Sequence, residues 1–340
     1  MLRRARPTPP RRRGHGSGRR FAAPHPEADT GAAMDAAMDT EFESHRRYLQ
    51  GVAYRMLGSV ADAEDTVQDA WLRWRRAGRE GIGDVRAYLT RIVTRLCLDR
   101  LRSARQRRED YIGPWLPEPL VEAAELSVDG PEETARDVSI ALLMTLERLS
   151  PLERAAFILH DVFDMDYREI AAALDRGEAA CRQLVSRART HVHAAKPRFD
   201  VSQAENAAVT QAFFRATETG DVSAIAGLLA ENARLYTDGG GKLRAALNPI
   251  HGADRIYRFF EGVARKGGSG RPSWSRRLAI NGMPGMLLLD PHGLPQTLVL
   301  EAENGLITAI YITRNPDKLR HLSALLPGDD TTAHNGATRQ

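Results

Sequence analysis

The chain has 340 residues, 42% hydrophobic and 27% charged, so its composition is that of a globular protein and its length predicts two or three domains. No apolar run approaches the roughly 18 residues that a membrane-spanning helix needs, which excludes a membrane span. Two cysteines, Cys97 and Cys181, cannot build a disulfide framework or a four-cysteine zinc site, so we expect a cytoplasmic location and neither cofactor nor metal.

Residues 1–39 are predicted to form a disordered, basic N-terminal extension. The net charge of +4 is unevenly spread, because residues 1–33 hold eight arginines and only two acids, with many Pro, Gly and Ala residues and too few large apolar groups for a core. Such a tail resembles a transit peptide or a nucleic-acid-binding arm. A mispredicted start, with Met34 or Met38 as the true one, is the alternative.

Residues 40–110 show the periodicity of a helical domain. Apolar residues recur every three or four positions in stretches that begin near Leu49, Val67 and Val85. The second stretch starts with acids, whereas residues 71–110 carry twelve arginines against five acids. Neighbouring surfaces of opposite charge suggest two different partners.

Aromatic side chains accompany this arginine-rich block, notably Trp71, Trp74 and Tyr88. Arginines hold a phosphate backbone and aromatic rings stack on unpaired bases, so the combination suits melted DNA. The alternative is that the tryptophans belong to the core and the arginines lie in solvent.

Residues 111–137 have the Pro and Gly content of a linker. Its side chains at Trp115, Leu116, Leu120 and Val121 are too apolar for an idle linker, so we expect another part of the chain to cover them.

Residues 138–196 form a second helical block. Ser150 is a candidate N-cap, with Pro151 at the first helical position and Glu153 placed to return a hydrogen bond. Further on, a short helix, a turn that contains glycine, and a basic helix follow one another as in a helix-turn-helix. The basic helix carries four candidate DNA-binding residues: Arg182, Gln183, Arg187 and Arg189.

These side chains suit major-groove recognition. Arginine can give two hydrogen bonds to guanine and glutamine can bridge the edge of adenine, which are the roles that Arg182 and Gln183 could fill. Arg187 and Arg189 can meet phosphates. Because the motif is short and degenerate, an ordinary helical hairpin with a solvated basic face is the alternative.

The pattern changes after residue 197 to that of an α+β domain over residues 203–325. Helical stretches at 205–216, 222–229 and 253–263 are interspersed with strand-like stretches at 234–237, 278–280, 286–289, 297–301 and 306–312. Residues 326–340 are predicted to be a disordered tail.

A glycine-rich motif, Asp238-Gly239-Gly240-Gly241-Lys242, follows the first of these strands. Phosphate binding is disfavoured because the spacing is not that of a P-loop and Leu243 stands where a P-loop has Ser or Thr. Glycines that let a loop approach another segment closely fit better, and the apolar linker is the obvious candidate for that segment.

Several strings resemble a known family. Three resemble region 2 of bacterial extracytoplasmic-function sigma factors: AEDTVQDAW at 63–71, YLTRI at 88–92 and CLDRLR at 97–102. Three more resemble region 4: LSPLER at 149–154, YREIA at 167–171, and RQ with SRAR between 182 and 189. Two separate matches in the family's order are much stronger than either alone.

The resemblance implies partners for both charged zones. An acidic helix would bind core RNA polymerase through Asp62, Glu64, Asp65, Gln68 and Asp69. The −10 promoter element would be engaged by Tyr88 and the helix through Arg95 and Arg102, and the −35 element by Arg182, Gln183 and Arg187. Arg91 and Arg189 are further candidate DNA-binding residues. Arg95 stands where many such factors have asparagine, so no base-specific contact is assigned to it.

Two further strings are similar to signatures of the subgroup that carries a fused SnoaL-like domain of the NTF2-like fold. The first is Trp115, Leu116, Pro117, Glu118 and Pro119 in the linker, and the second is Asp238, Gly239, Gly240, Gly241 and Lys242. We expect these two segments to touch and to set the spacing of regions 2 and 4. Charge reversal at Asp238 or Lys242 is then expected to alter transcription without unfolding the protein.

NTF2-like domains are cone-shaped and often hold a pocket, so the resemblance allows a small-molecule ligand. Conceivable pocket residues are Tyr236, Asp238, His251, Trp274 and Glu301. Some members of the fold are cyclases or isomerases, which makes an enzyme one alternative. A general base would need a partner within hydrogen-bond reach.

The sequence therefore predicts two all-α sigma domains and a C-terminal α+β NTF2-like domain. The predicted function is a sigma factor, not an enzyme, that binds core RNA polymerase and promoter DNA and is regulated in cis by its C-terminal domain. A helix-turn-helix regulator that acts without polymerase is the second alternative, and it leaves the acidic helix unexplained.

Overall fold

A computed structural model describes residues 26–77, 81–109, 111–121, 139–195, 203–267 and 271–327. The predictions for residues 1–25, for 122–137 of the linker and for 328–340 of the tail lie outside these residues. None of the described helices is long and apolar enough to cross a membrane.

Three helices form the first domain: α1 (Pro26–Leu57), α2 (Val60–Ala77) and α3 (Val85–Glu109). Helix α1 corrects the prediction that residues 1–39 lack structure, because it begins at Pro26. Tertiary contacts explain the difference. The Met38 side chain is buried and its carbonyl accepts a hydrogen bond of 3.0 Å from Trp74 Nε1. Asp39 accepts another, of 3.2 Å, from Trp71 Nε1.

Trp74 is fully buried and therefore belongs to the core. This agrees with the alternative that the tryptophans are core residues. Trp71 is half-buried against the same core. Cys97 and Cys181 are both buried free thiols.

The second helical domain comprises four helices, α4 (Ile140–Leu146), α5 (Pro151–Phe157), α6 (Tyr167–Leu174) and α7 (Glu178–Ala195). The expected N-cap is present: Ser150 and Glu153 exchange side-chain to backbone hydrogen bonds. Helix α5 continues into a π-helical turn, Ile158–Val162. Asp175 ends α6 in the left-handed conformation, which makes the tight turn before α7.

In the part of the C-terminal domain that the structure describes, there are two helices, two 3₁₀ segments and six strands. Its elements are α8 (Gln203–Thr219), 3₁₀ Val222–Leu228, β1 (Leu229–Asp238), β2 (Ile250–His251), α9 (Ala253–Gly267), β3 (Trp274–Ile280), β4 (Met283–Leu289), β5 (Pro295–Glu303), β6 (Leu306–Thr313) and 3₁₀ Pro316–Leu325. The strand order is β2-β1-β6-β5-β4-β3, antiparallel except for β1 and β6.

The sheet is covered on both faces. Because side chains alternate along a strand, Leu235 and Ile310 point to one face, where α8 and α9 pack. Tyr236 and Tyr311 point to the other face, where Leu116 of the linker packs with α4. The sheet thus holds the linker against the helical part of the chain.

The two helical domains share one apolar core. Leu89 and Cys97 of α3 lie in the same cluster as Ile170 and Ala173 of α6. The predicted fold class, two helical sigma domains followed by an α+β NTF2-like domain, is confirmed.

Candidate polymerase and DNA interfaces and the linker contact

The acidic face of α2 is exposed at its centre. Glu64, Asp65 and Gln68 are exposed, whereas Asp62 and Asp69 are half-buried beside α3. Arg100 of α3 bonds Asp69 at 2.8 Å and lies 3.7 Å from Asp62. This arginine also lies 4.0 Å from Asp65, so it neutralises part of the acidic face and fixes α2 against α3, while Glu64 and Asp65 stay exposed.

The predicted DNA-binding residues of α3 share one face, since positions 88, 91, 95 and 102 are spaced by three, four and seven residues. Arg95 and Arg102 are exposed, and Arg91 is half-buried with its guanidinium 5.2 Å from the centre of the Tyr88 ring. Tyr88 in turn lies 6.1 Å from the buried Trp74 ring. The core therefore positions an aromatic ring at the edge of a cationic surface.

The four predicted DNA-binding residues of α7 are all exposed. Each of the three arginines has an acidic neighbour: Arg182 bonds Glu178 at 2.9 Å, Arg187 Nε lies 3.1 Å from Glu153 Oε1, and Arg189 binds Asp161. Asp161 belongs to none of the motifs found in the sequence. Its position depends on the π-helical turn, for which the sequence has no clear signal.

The Asp238 side chain binds the linker to the C-terminal domain. Its side chain is fully buried at the end of β1. Oδ1 accepts hydrogen bonds from the Tyr111 hydroxyl at 2.5 Å and from Gly240 N at 3.0 Å. Oδ2 accepts from Leu116 N at 2.9 Å and from Lys318 Nζ at 2.7 Å. Four donors from three segments of the chain thus converge on one carboxylate.

Lys318 completes this contact and was missed by the sequence analysis. Its ammonium group bonds the Leu116 carbonyl and lies 4.2 Å from the Trp115 ring centre and 4.9 Å from that of Tyr111. A single lysine in a polar 3₁₀ segment has no distinguishing pattern, so only the folded chain reveals it. Burial and the negative charge of Asp238 raise the pKa of the Tyr111 hydroxyl, which keeps this donor protonated.

Gly240 shows why the loop is rich in glycine. Its φ of +61° lies in the left-handed region, and a Cβ there would stand 2.2 Å from Asn315 Nδ2. Lys242, by contrast, is exposed and pairs with Asp317. The loop and the linker are therefore brought together, but Lys242 takes no part in the contact.

Glu118 connects the linker to α2, the helix predicted to bind polymerase. Its carboxylate accepts hydrogen bonds from Ser59 Oγ at 2.9 Å and from Val60 N at 2.7 Å, so it caps the N-terminus of α2. The Glu118 carbonyl accepts from the Tyr54 hydroxyl at 2.7 Å, and that hydroxyl accepts from Asn281 Nδ2 at 2.7 Å. Helix α1, the linker and the C-terminal domain meet at this point.

The prolines of the linker motif are buried as well. Pro117 and Pro119 have almost no exposed surface, and the Pro119 carbonyl lies 2.7 Å from His321 Nε2. Gly58, which precedes α2, has a φ of +68°, and a Cβ there would stand 2.6 Å from the Trp115 ring. The motif is thus packed tightly on both domains.

The conceivable pocket residues are spread across the sheet. His251 and Trp274 lie on β2 and β3, which are the two edge strands. Tyr236 stacks on Tyr311 at 5.4 Å between ring centres, on the face that the linker and α4 cover. Burial raises the pKa of the Glu301 carboxyl, and a hydrogen bond with Tyr311 opposes that rise.

Comparisons with known proteins match these features. The Sigma-70 region 2 model matches residues 42–108, and the Sigma-70 region 4 model matches residues 139–192. The chain is 38% identical to the ECF RNA polymerase sigma factor SigJ of Mycobacterium tuberculosis, over 82% of this chain and 92% of that protein. It is 33% identical to the probable ECF RNA polymerase sigma factor SigI of the same species, over 84% of this chain and 96% of that protein.

The fold has a solved relative. The crystal structure of Mycobacterium tuberculosis SigJ aligns with a TM-score of 0.68 and 35% identity, covering 83% of this chain and 98% of that one. Both helical domains, their order and most of the chain's length are therefore accounted for by one family. The chain belongs to the extracytoplasmic-function sigma factors of bacterial RNA polymerase.

Proposed function

We propose that the chain binds core RNA polymerase through the acidic face of α2 and reads promoter DNA through α3 and α7, under the control of its C-terminal domain. Family membership makes it a factor that directs transcription initiation. The exposed acids of α2 and the exposed arginines of α3 and α7 supply surfaces of the charge that each partner requires.

The observation that carries the regulatory part is the linker contact. Asp238 and Lys318 hold residues 111–116, and Glu118 in the same segment caps α2. A shift of the C-terminal domain would move this segment and the start of α2 together. The domain thereby controls both the polymerase-binding helix and the connection between regions 2 and 4.

The positions of Asp238 and Lys242 decide whether charge reversal at either residue would test the linker contact. Charge reversal at Asp238 would leave Lys318 beside a second cation in a buried site, so it would disrupt packing instead of acting on transcription alone. Lys242 is exposed and outside the contact. Neither substitution therefore tests the linker contact, whereas a change at Tyr111 does.

The test is Tyr111→Phe, assayed by transcription with core polymerase. This substitution removes the hydroxyl that donates to Asp238 and accepts from Asn315 Nδ2, which weakens linker docking by about 1.5 kcal/mol, or roughly tenfold in the docking equilibrium. Promoter output should change several-fold, upward if docking restrains the factor and downward if docking supports it. Tyr257→Phe, on α9 at the other face of the sheet, is the matched control. Equal output from both variants and the wild type would refute control through the linker.

A further inference from the structure

The π-helical turn at Ile158–Val162 carries two polar side chains, His160 and Asp161, that contact Arg189 of α7. A π-helical turn inserts one residue into a helix and is frequent at functional sites. Arg189 Nε lies 3.0 Å from Asp161 Oδ2 and 3.1 Å from Oδ1, and Nη2 also bonds Oδ1. The guanidinium is therefore held side-on by both carboxylate oxygens.

His160 extends this arrangement to a second arginine of α7. Its Nδ1 lies 2.9 Å from Asp161 Oδ1, and its ring stands 4.5 Å from the Tyr167 ring. The Arg182 guanidinium lies 5.2 Å from the centre of the same Tyr167 ring. Asp161, His160 and Tyr167, the Asp161 cluster, thus contact both Arg189 and Arg182.

The two arginines lie on the same face of α7. Seven residues separate Arg182 and Arg189, which is two helical turns or about 10 Å along the axis. The Asp161 side chain is 17% exposed, whereas that of Arg189 is 45% exposed. The acid is therefore set back from the surface that the arginine presents to solvent.

The charge of Asp161 is maintained in the folded protein. Burial tends to raise the pKa of its carboxyl, but hydrogen bonds from Arg189 and His160 outweigh burial and hold that pKa below its ordinary value. If the Asp161 carboxylate acted only through its negative charge, it would repel a nearby phosphate backbone. Removing that charge would then raise DNA affinity.

We infer that Asp161 is a positioning residue for promoter recognition, which holds the Arg189 guanidinium in the orientation that meets DNA. The inference rests on the proposed role of α7. It predicts that removing this negative charge weakens DNA binding, which is opposite in sign to the general electrostatic effect.

The test uses holoenzyme formed from the full chain and core polymerase. The probe is a duplex selected by the wild-type holoenzyme from fragments with a randomised −35 segment. Asp161→Asn should lower affinity for this duplex roughly tenfold, because a hydrogen bond between charged groups is lost. Asp175→Asn removes the same charge from the exposed turn before α7, where asparagine tolerates the left-handed backbone, and should leave affinity unchanged or slightly higher.

Two further variants separate positioning from folding and from simple charge. Arg189→Lys keeps the cation but cannot make the side-on contact, so it should lose affinity as Asp161→Asn does. In an Arg189→Gln background, Asp161→Asn should cause no further loss, because the acid acts through that arginine. Co-elution with core polymerase should persist in every variant.

The outcomes are distinct. If Asp161→Asn binds as tightly as the wild type or more tightly while Arg182→Gln and Arg189→Gln weaken binding, the positioning role is wrong and the role of α7 stands. If the arginine variants also bind normally, the proposed DNA-reading role of α7 fails, and the inference fails with it.

Discussion

The Asp238 carboxylate receives four hydrogen bonds while it is fully buried, and one of the donors is the buried ammonium group of Lys318. A buried charge of this kind is stable only when it is paired and hydrogen-bonded. The contact is therefore far more sensitive to substitution than the exposed pair that Lys242 of the glycine-rich loop makes with Asp317.

Asp238→Asn should lower the free energy of unfolding by about 3 kcal/mol, because it leaves Lys318 buried without its negative partner. Urea unfolding followed by circular dichroism measures the change. Lys242→Met, which removes only the exposed pair, should cost less than about 1 kcal/mol. Equal losses in the free energy of unfolding for the two variants would show that the buried pair stabilises the protein no more than the exposed pair does.

Sequence reasoning reached some of these residues and missed others for a physical reason. The Ser150 cap is local, so its motif identified it. The glycines after Asp238 and the apolar linker suggested a close approach, which the structure shows. Lys318 and Asp161 act through partners 80 and 28 residues away, and a single sequence holds no signal for such pairings.

At the scale of elements, α4 and α5 are joined by a buried ion pair. Arg154 Nη2 lies 2.6 Å from Glu147 Oε1, with side chains 3% and 16% exposed. Burial lowers the pKa of the Arg154 guanidinium to about 9, so the group is still charged at neutral pH and needs its acid. The pair lies beside α3, where regions 2 and 4 share their core.

Glu147→Gln should therefore reduce the free energy of unfolding by about 3 kcal/mol at pH 7, since it leaves the buried cation without a counter-charge. Glu178→Gln breaks an exposed pair with Arg182 and should cost less than about 1 kcal/mol. Thermal unfolding of both variants compares them directly. A loss that is no larger for Glu147→Gln would contradict the role given to the pair.

Helix α1 illustrates why element boundaries were harder to predict than element types. The composition indicated disorder up to residue 39. In the structure, however, Trp71 donates a hydrogen bond to Asp39, and Trp74 donates one to the Met38 carbonyl. Both contacts come from α2, more than 30 residues away. Local composition weighs only neighbours along the chain, so it could not register them.

At the scale of the whole molecule, regions 2 and 4 form one body with a common core. A body of about 130 residues is about 40 Å across. Elements centred near −10 and −35 lie about 25 base pairs apart, or roughly 85 Å along B-DNA. While the two domains share this core, together they are too short to contact both promoter elements at once. We therefore expect the two domains to separate when the factor engages a promoter.

That separation is measurable with two fluorophores. Leu72 on α2 and Thr190 on α7 are exposed, and the native cysteines are buried, so Leu72→Cys and Thr190→Cys can be labelled selectively. Energy transfer between the labels should fall sharply when core polymerase and promoter DNA are added. Unchanged transfer in an active initiation complex would contradict opening.

A direct test of the sigma-factor function is whether the full chain forms a stoichiometric complex with core RNA polymerase that lacks its own sigma factor, judged by co-elution in size-exclusion chromatography. We expect co-elution. We also expect weaker binding by Asp65→Lys, which reverses a 75%-exposed charge on the acidic face of α2. A full chain that elutes apart from the polymerase would contradict the sigma-factor account, and undiminished binding by Asp65→Lys would contradict the assignment of the acidic face.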